Sequence, residues 1–155
     1  MILDTLNEFA SNVSVAGAAG TALIGDVMDL TTARDIGGGS PLYLVLIATA
    51  DIITGGAAGT ISFSLASDAQ AAIATDGSAT IHFSTGDFVT DDAALNGLDA
   101  GATIAVIALP REGNAYERFL GVLATVATTT VTVGSIDAFL TADPKAWKAY
   151  AEAAN

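Results

Sequence analysis

Apolar residues in this chain recur at every second position far more often than at helical spacing, and this pattern constrains the fold most. Thr60–Leu65 alternates strictly, so Ile61, Phe63 and Leu65 share one face. Successive strand side chains point to opposite faces, so the pattern predicts a half-buried strand. Six further segments have strand-like apolar patterns: Leu23–Leu30, Leu42–Thr49, Thr80–Ser84, Thr103–Leu109, Phe119–Val126 and Val131–Leu140.

Turn-forming residues separate these segments. They are Gly37–Pro41, Gly55-Gly56, Asp76-Gly77, Asn96-Gly97 and Glu112–Asn114. Seven or eight short strands with turns between them predict an all-β fold, an antiparallel sandwich or barrel. Residues 1–142 are therefore interpreted as one β domain. The segment Ser67–Ala74 fits either a short helix or a long loop.

Three of the predicted strands are apolar on both faces: Leu42–Thr49, Thr103–Leu109 and Phe119–Val126. A small sandwich usually leaves one face of each sheet in water, which gives alternation. Continuous apolar strands therefore predict extra cover, from a second subunit or from the C-terminal segment. A homo-oligomer is expected, with a symmetric dimer favoured over a trimer.

The C-terminal segment, residues 143–155, has a helical pattern. Asp143 is a suitable N-cap, and Pro144 suits the first helical position. Apolar residues then recur at helical spacing at Ala146, Trp147, Tyr150, Ala151 and Ala154. A single helix this short is marginal alone in water. It is expected to dock on its own sandwich or on a neighbouring subunit.

The charge balance argues against nucleic acids and anionic membranes as partners. The chain carries 17 acidic and 5 basic residues, a net charge of −12. Nucleic acids and anionic membranes are bound by clustered Lys and Arg, whereas these five cations are scattered. Met1–Asp4 lacks the basic start of a signal peptide, and the apolar run Leu42–Ala48 is too short for a membrane helix. We therefore expect no nucleic-acid or membrane partner and no signal peptide.

Known catalytic and cofactor patterns do not match the sequence. The absence of cysteine excludes thiolate metal sites and a cysteine nucleophile. The single histidine, His82, lies in a strand pattern out of phase with Ile81 and Phe83 and is interpreted as structural. Gly37–Gly39 precedes a strand, whereas a phosphate loop precedes a helix. No enzymatic activity, metal or cofactor is predicted.

Four aspartates crowd one loop-like stretch: Asp87, Asp91, Asp92 and Asp99. Carboxylates of this kind can hold Ca²⁺, but the spacing matches no EF-hand loop. Paired carboxylates can also hydrolyse glycosides, which leaves an enzyme using this loop open. The preferred interpretation is a solvated acidic loop.

Several blocks of sequence resemble those of a known family, the capsid cement, or decoration, proteins of tailed phages of the Bordetella-phage type. The blocks are Met1–Asp4, Asp29-Leu30, Ala33–Gly37, Gly39, Pro41–Val45, Ala108–Arg111 and Glu117–Val122. They follow one another in order through most of the first 140 residues.

This resemblance implies a jelly-roll-like sandwich on the outer surface of the virion, binding the major capsid protein and stabilising contacts between its copies. It also implies a homodimer made in the host bacterial cytoplasm. Five residues are candidates for structural or interface roles: Arg34, Asp35, Arg118, Trp147 and Tyr150. A carbohydrate-binding or adhesin-like sandwich is the alternative function, which an exposed platform of aromatic side chains would support.

Overall fold

The computed structural model describes residues 5–33, 39–55, 59–91 and 97–145. Within these ranges, a short 3₁₀ turn, Thr5–Asn7, precedes nine strands. The strands are β1 (Glu8–Ser14), β2 (Gly20–Asp29), β3 (Tyr43–Ile53), β4 (Thr60–Asp68), β5 (Thr80–Ser84), β6 (Phe88–Val89), β7 (Thr103–Ala108), β8 (Phe119–Ala127) and β9 (Val133–Thr141). Among the described residues, no helix is long and apolar enough to cross a membrane. The all-β prediction is confirmed.

The strands form two antiparallel sheets. The first sheet has the order β1-β9-β3-β7, and the second has the order β2-β8-β4-β5. Strand β6 pairs with the start of β4 and β5 pairs with its later part, so β5 and β6 occupy one strand position in two pieces. With that position counted once, eight strands alternate between the sheets in the order of a jelly roll.

The main core lies between the sheets. On β4, Ile61, Phe63 and Leu65 are fully buried, as their alternation predicted. They pack with inward residues of β3 and β9, among them Leu44, Leu46, Ile136, Ala138 and Leu140. The inward faces therefore follow the period-two pattern of the sequence.

The outer face of the second sheet carries a separate apolar cluster, which explains why β8 is apolar on both sides. Ala66 and Leu123 belong to the sheet, whereas Ile73 and Ala79 come from residues 69–79, here called the cover loop. Asp68 fixes the start of this loop, because its carboxylate accepts the backbone N–H groups of Gln70 and Ala74 at 3.1 and 3.0 Å. The extra cover that the sequence predicts over Phe119–Val126 is therefore provided, at Leu123, by the chain's own loop.

One predicted strand face is also corrected. Leu65 pairs with Phe83 and Ala66 pairs with Ile81, so His82 is an extra residue at a bulge. The bulge reverses the alternation. Phe83 packs against the core, whereas Ile81 is 45% exposed on the outer face. The prediction that both share one side is therefore wrong.

The predicted C-terminal helix falls mainly on residues 146–155, outside the described residues. The described start of this segment makes one contact of the predicted kind, because Asp143 Oδ1 accepts the backbone N–H of Lys145 at 3.0 Å. An N-cap side chain makes this bond to the second helical residue.

Candidate functional site

One end of the sandwich, where β2 and β7 end and β3 and β8 begin, gathers the described cations. We call it the arginine end. Asp29 at the end of β2 pairs with Phe119 at the start of β8, and Tyr43 at the start of β3 pairs with Ala108 at the end of β7. The described Lys and Arg residues all lie in or beside connections at this end: Arg111, Arg118 and Lys145.

An arginine–carboxylate fork joins β2 to β8 at the arginine end. Arg118 Nε and a terminal nitrogen donate to the two carboxylate oxygens of Asp29 at 2.9 and 2.8 Å. The guanidinium carbon also lies 4.8 Å from the centroid of the Phe119 ring. Both charged side chains are nearly half exposed. The fork therefore adds little stability, but it holds a guanidinium in one orientation at the surface.

The fork strongly favours the ionised carboxylate. The hydrogen bond from Arg118, helped by the Thr31 backbone N–H, lowers the pKa of Asp29 to about 2. The same hydrogen bond raises the pKa of Arg118. Both groups are therefore charged throughout the physiological pH range.

A buried polar network lies next to the fork, beneath the Tyr116–Phe119 segment. Ser67 is fully buried on β4, and its Oγ lies 2.7 Å from His82 Nε2. The same Oγ accepts the backbone N–H of Glu117 at 3.0 Å. The His82 ring stacks on the Tyr116 ring with centroids 3.8 Å apart. Since Ser67 accepts from Glu117, its one hydrogen is available for His82, which suits a neutral imidazole.

Two further contacts fix the segment that carries Arg118. The Tyr116 hydroxyl donates to the Pro110 carbonyl at 2.8 Å, and the Thr80 hydroxyl donates to Glu117 Oε1 at 2.7 Å. Arg118 therefore follows two anchored residues. We interpret the network as the support that positions the fork.

The Ser67–His82 pair superficially matches a nucleophile beside a base. A nucleophilic serine must reach its substrate, whereas Ser67 is fully buried and already accepts a backbone hydrogen bond. The geometry therefore favours a structural role for both residues.

The network predicts a pH dependence of stability. Burial lowers the pKa of His82 from its ordinary value near 6.5, and the nearby Glu117 charge opposes this shift without reversing it. The unfolded chain therefore binds the proton more tightly than the folded protein, so the stabilisation is complete above pH 6.5 and declines as the pH falls below it. We therefore expect Tm to decrease as the pH is lowered from 7.5 to 5.5.

His82→Gln is the matched variant, because it keeps a side-chain acceptor for Ser67 and does not titrate. His82 is the only histidine, and ordinary carboxylates titrate mainly below this window. Thermal melts should show a smaller loss of Tm on acidification in the variant. Equal losses in the two proteins would exclude His82 as the cause.

The opposite end of the sandwich, here called the acidic end, carries carboxylates and no described Lys or Arg. The Asp51 carboxylate accepts the backbone N–H of Ala100 at 2.7 Å. Asp99 directly precedes Ala100 at this end. Asp91 follows Thr90, and the Thr90 carbonyl accepts the Thr54 N–H at 3.0 Å. Within the described ranges, no three His, Asp or Glu side chains come together as metal ligands. Asp92 lies outside these ranges.

The sequence of this jelly roll matches a known family model. The model named Bbp16 matches residues 11–140, more than half of the chain. The chain belongs to the Bbp16 family. The Bbp16 match runs from within β1 to the penultimate residue of β9, so it covers almost the whole sandwich and both of its ends. The family name is consistent with the Bordetella-phage resemblance. A search of curated proteins finds no match.

Of the site residues predicted from sequence, the described part of this Bbp16 chain includes only Arg118. Its carboxylate partner is Asp29 on β2. Arg34, Asp35, Trp147 and Tyr150 lie outside the described residues.

Sequence reasoning missed the Ser67–His82–Tyr116 network. The one sequence signal for this network is the position of Ser67. It continues the inward series Ile61, Phe63 and Leu65 on β4, although it is polar. Such a residue needs a buried hydrogen-bond partner. The partner's identity depends on the bulge at His82, for which the sequence has no marker.

Several resemblance blocks meet at the arginine end. Asp29-Leu30 pairs with the start of Glu117–Val122, because Asp29 pairs with Phe119 and the Leu30 N–H donates to the Arg118 carbonyl at 2.8 Å. Pro41–Val45 meets Ala108–Arg111, because the Leu109 N–H donates to the Leu42 carbonyl at 2.8 Å. The fold thus joins segments that are far apart in sequence.

No described aromatic side chain is exposed. The exposed large apolar side chains among the described residues are aliphatic: Leu6, Ile81, Val89, Val106 and Val133. Sugar-binding platforms present aromatic rings to solvent, so this part of the Bbp16 chain lacks the feature that would favour the carbohydrate-binding alternative.

Proposed function

We propose that this chain is a capsid decoration protein, a non-enzymatic virion component that binds the outer surface of a phage capsid and ties neighbouring major capsid proteins together. The observation that carries the proposal is the Bbp16 match across almost the whole jelly roll. The resemblance to phage cement proteins supplies the role, and the antiparallel sandwich supplies the architecture that this role implies.

The charge of the chain supports a place on the outside of the shell. A net charge of −12 is unfavourable beside packaged DNA, whereas it favours solubility on an outer surface. The uneven distribution of charge suggests an orientation. The arginine end faces the capsid, and the acidic end faces solvent.

Arg118 is the best-defined contact residue at the arginine end. Asp29 and Phe119 hold its guanidinium in place, so little conformational entropy is lost when it binds a carboxylate or carbonyl. Arginine is enriched among the residues that contribute most to protein–protein binding. Carboxylates or carbonyls on the major capsid protein are the proposed acceptors.

The physical role is stabilisation by mass action. A protein that binds only the assembled lattice stabilises that lattice through its binding free energy. Many equivalent sites on one shell multiply the effect. Dimerisation of the decoration protein, which the resemblance implies, would let one molecule bridge two capsid subunits and add avidity.

Replacing Arg118 with alanine should weaken binding to assembled shells about tenfold or more, because it removes the central contact of the proposed interface. Binding is measured by titrating the protein against shells and quantifying the pelleted fraction. Tm should change little, because the fork is exposed.

Asp87→Ala is the control for Arg118→Ala. Asp87 is an exposed charge near the acidic end, between β5 and β6, and its removal should leave shell binding unchanged. Equal affinities for the two variants would contradict the proposed orientation. Failure of the unmodified protein to bind shells would contradict the function itself.

A further inference from the structure

The Asp29 carboxylate at the arginine end is held by a turn as well as by the fork. Its Oδ1 accepts the Thr31 backbone N–H at 2.7 Å and Arg118 Nε at 2.9 Å, and its Oδ2 accepts the second guanidinium bond at 2.8 Å. The N–H of Leu30, which lies between Asp29 and Thr31, donates to the Arg118 carbonyl at 2.8 Å. Three donors therefore fix the carboxylate, and the backbone that carries Arg118 is bonded to the same turn.

Thr31 has a strained backbone conformation in this turn. Its φ is +66°, an outlier for a β-branched residue. Such conformations persist where the surrounding contacts impose them, and they cluster at binding sites. The contacts here are the Thr31 N–H on Asp29 and the Thr31 hydroxyl on the Leu30 carbonyl. Since an exposed ion pair adds little stability, the strain indicates that the placement of the Asp29 carboxylate has a function.

The fork leaves part of the guanidinium of Arg118 directed away from Asp29. Arginine has five N–H groups in one plane, and the fork uses one on Nε and one on a terminal nitrogen. The side chain is 49% exposed, so the three N–H groups outside the fork can reach a partner. They are donors in a fixed orientation, but the positive charge that they share is already paired.

The paired charge determines which acceptor these donors favour. A carboxylate about 4 Å from the guanidinium would lie about 7 Å from the Asp29 carboxylate, so the repulsion cancels more than half of the attraction. Glu117, next to Arg118, and Asp26, on the same strand as Asp29, add further negative charge. A neutral carbonyl oxygen meets no such repulsion, and its burial costs less hydration than that of a carboxylate.

We propose that Asp29, held by Thr31, is a built-in counter-ion, and that Arg118 therefore recognises neutral carbonyl oxygens of the major capsid protein and not carboxylates. Main-chain carbonyls left unpaired at the C-terminus of a helix or at the edge of a sheet have this chemistry. The proposal rests on the proposed capsid function and specifies the acceptor at the same contact. Asp29 is then a positioning residue, which orients Arg118 and lowers its affinity for anions.

Asp29→Asn tests the counter-ion, because the two kinds of acceptor predict opposite results. The amide keeps one oxygen acceptor but removes the charge and the second acceptor. If Arg118 binds carbonyls, its loss of orientation should weaken binding to assembled shells several-fold. If Arg118 binds a carboxylate, its unpaired charge should strengthen binding. Asp26→Asn is the matched control, because it removes an exposed carboxylate from the same strand and changes the net charge equally.

The salt dependence of shell binding is a second measurement. Asp29→Asn combined with Arg118→Met removes the guanidinium donors and keeps the net charge of the unmodified protein. The ratio of the affinities of these two proteins should stay within about twofold between about 50 and about 500 mM NaCl, because long-range charge effects are equal in both. A carboxylate acceptor would make the ratio fall several-fold, since added salt screens its attraction to Arg118.

Circular dichroism and thermal melts check that each variant keeps the fold, which we expect because both side chains of the fork are nearly half exposed. An Asp29→Asn variant that binds shells as tightly as Asp26→Asn, or more tightly, would overturn the counter-ion role. An affinity ratio that falls with salt would also overturn it. An unmodified protein that does not bind shells at all would instead overturn the proposed function on which this assignment rests.

Discussion

The Gly25→Ala variant is expected to lose the native fold or to melt at least about 10 °C below the unmodified protein. Gly25 has φ +67°, a conformation that costs an alanine roughly 1–2 kcal/mol. A Cβ there would also lie 1.9 Å from the Phe9 carbonyl oxygen. Because this oxygen belongs to the backbone, no change of side-chain rotamer can relieve the clash. The combined cost should exceed about 4–5 kcal/mol, a large part of a domain's stability.

Gly77→Ala separates the two causes. Gly77 also has positive φ, +94°, but a Cβ there meets nothing within 4 Å. This control should therefore lower Tm by only a few degrees, the cost of backbone strain alone, since 1 kcal/mol corresponds to about 2–4 °C at this size. Thermal melts of both variants provide the comparison. Equal losses of Tm would show that the close approach of β2 to Phe9 contributes nothing.

The Ile73→Asp variant is expected to release the cover loop and to lower Tm by about 10 °C. Ile73 is 4% exposed and packs with Ala66 and Leu123 on the second sheet. Its truncation to alanine alone would cost about 2–5 kcal/mol. A carboxylate adds a desolvation penalty, which detachment of the loop would relieve. Thermal melts and digestion by a non-specific protease measure the two effects, with new cleavage expected within residues 69–79.

Thr75→Asp is the control for Ile73→Asp. Thr75 is an exposed residue of the same loop, so the same charge there should leave Tm and the digestion pattern nearly unchanged. Rapid cleavage of the loop in both variants, or in neither, would contradict the packing of Ile73 on the sheet.

How far the sequence could predict this fold depends on the range of the interactions involved. Strict alternation located β4, because the pattern within Thr60–Leu65 is sufficient to define a buried face. Strand β1 was missed, because its apolar residues are interrupted by register shifts and Asn12 has φ +50°. Strand β6 is only two residues long. Bulges and very short strands depend on their neighbours and leave little local pattern.

The cover loop and the fork show the same limit. Ile73 lies in the segment Ser67–Ala74, which fits either a helix or a loop from its sequence, because its packing partner Leu123 lies about fifty residues away. Arg118 was recognised as a structural or interface candidate, but its partner Asp29 is 89 residues away. Local pattern can nominate a residue with a special role. Only the fold can identify what it contacts.

Co-sedimentation tests the central proposal most directly. The purified protein is mixed with assembled shells of the major capsid protein from the same phage, stripped of decoration protein, and the shells are pelleted. Decoration predicts saturable binding at a fixed ratio to capsid subunits, together with a higher temperature of shell disruption. A protein that stays in the supernatant at every concentration, with the shells intact, would contradict the proposed function.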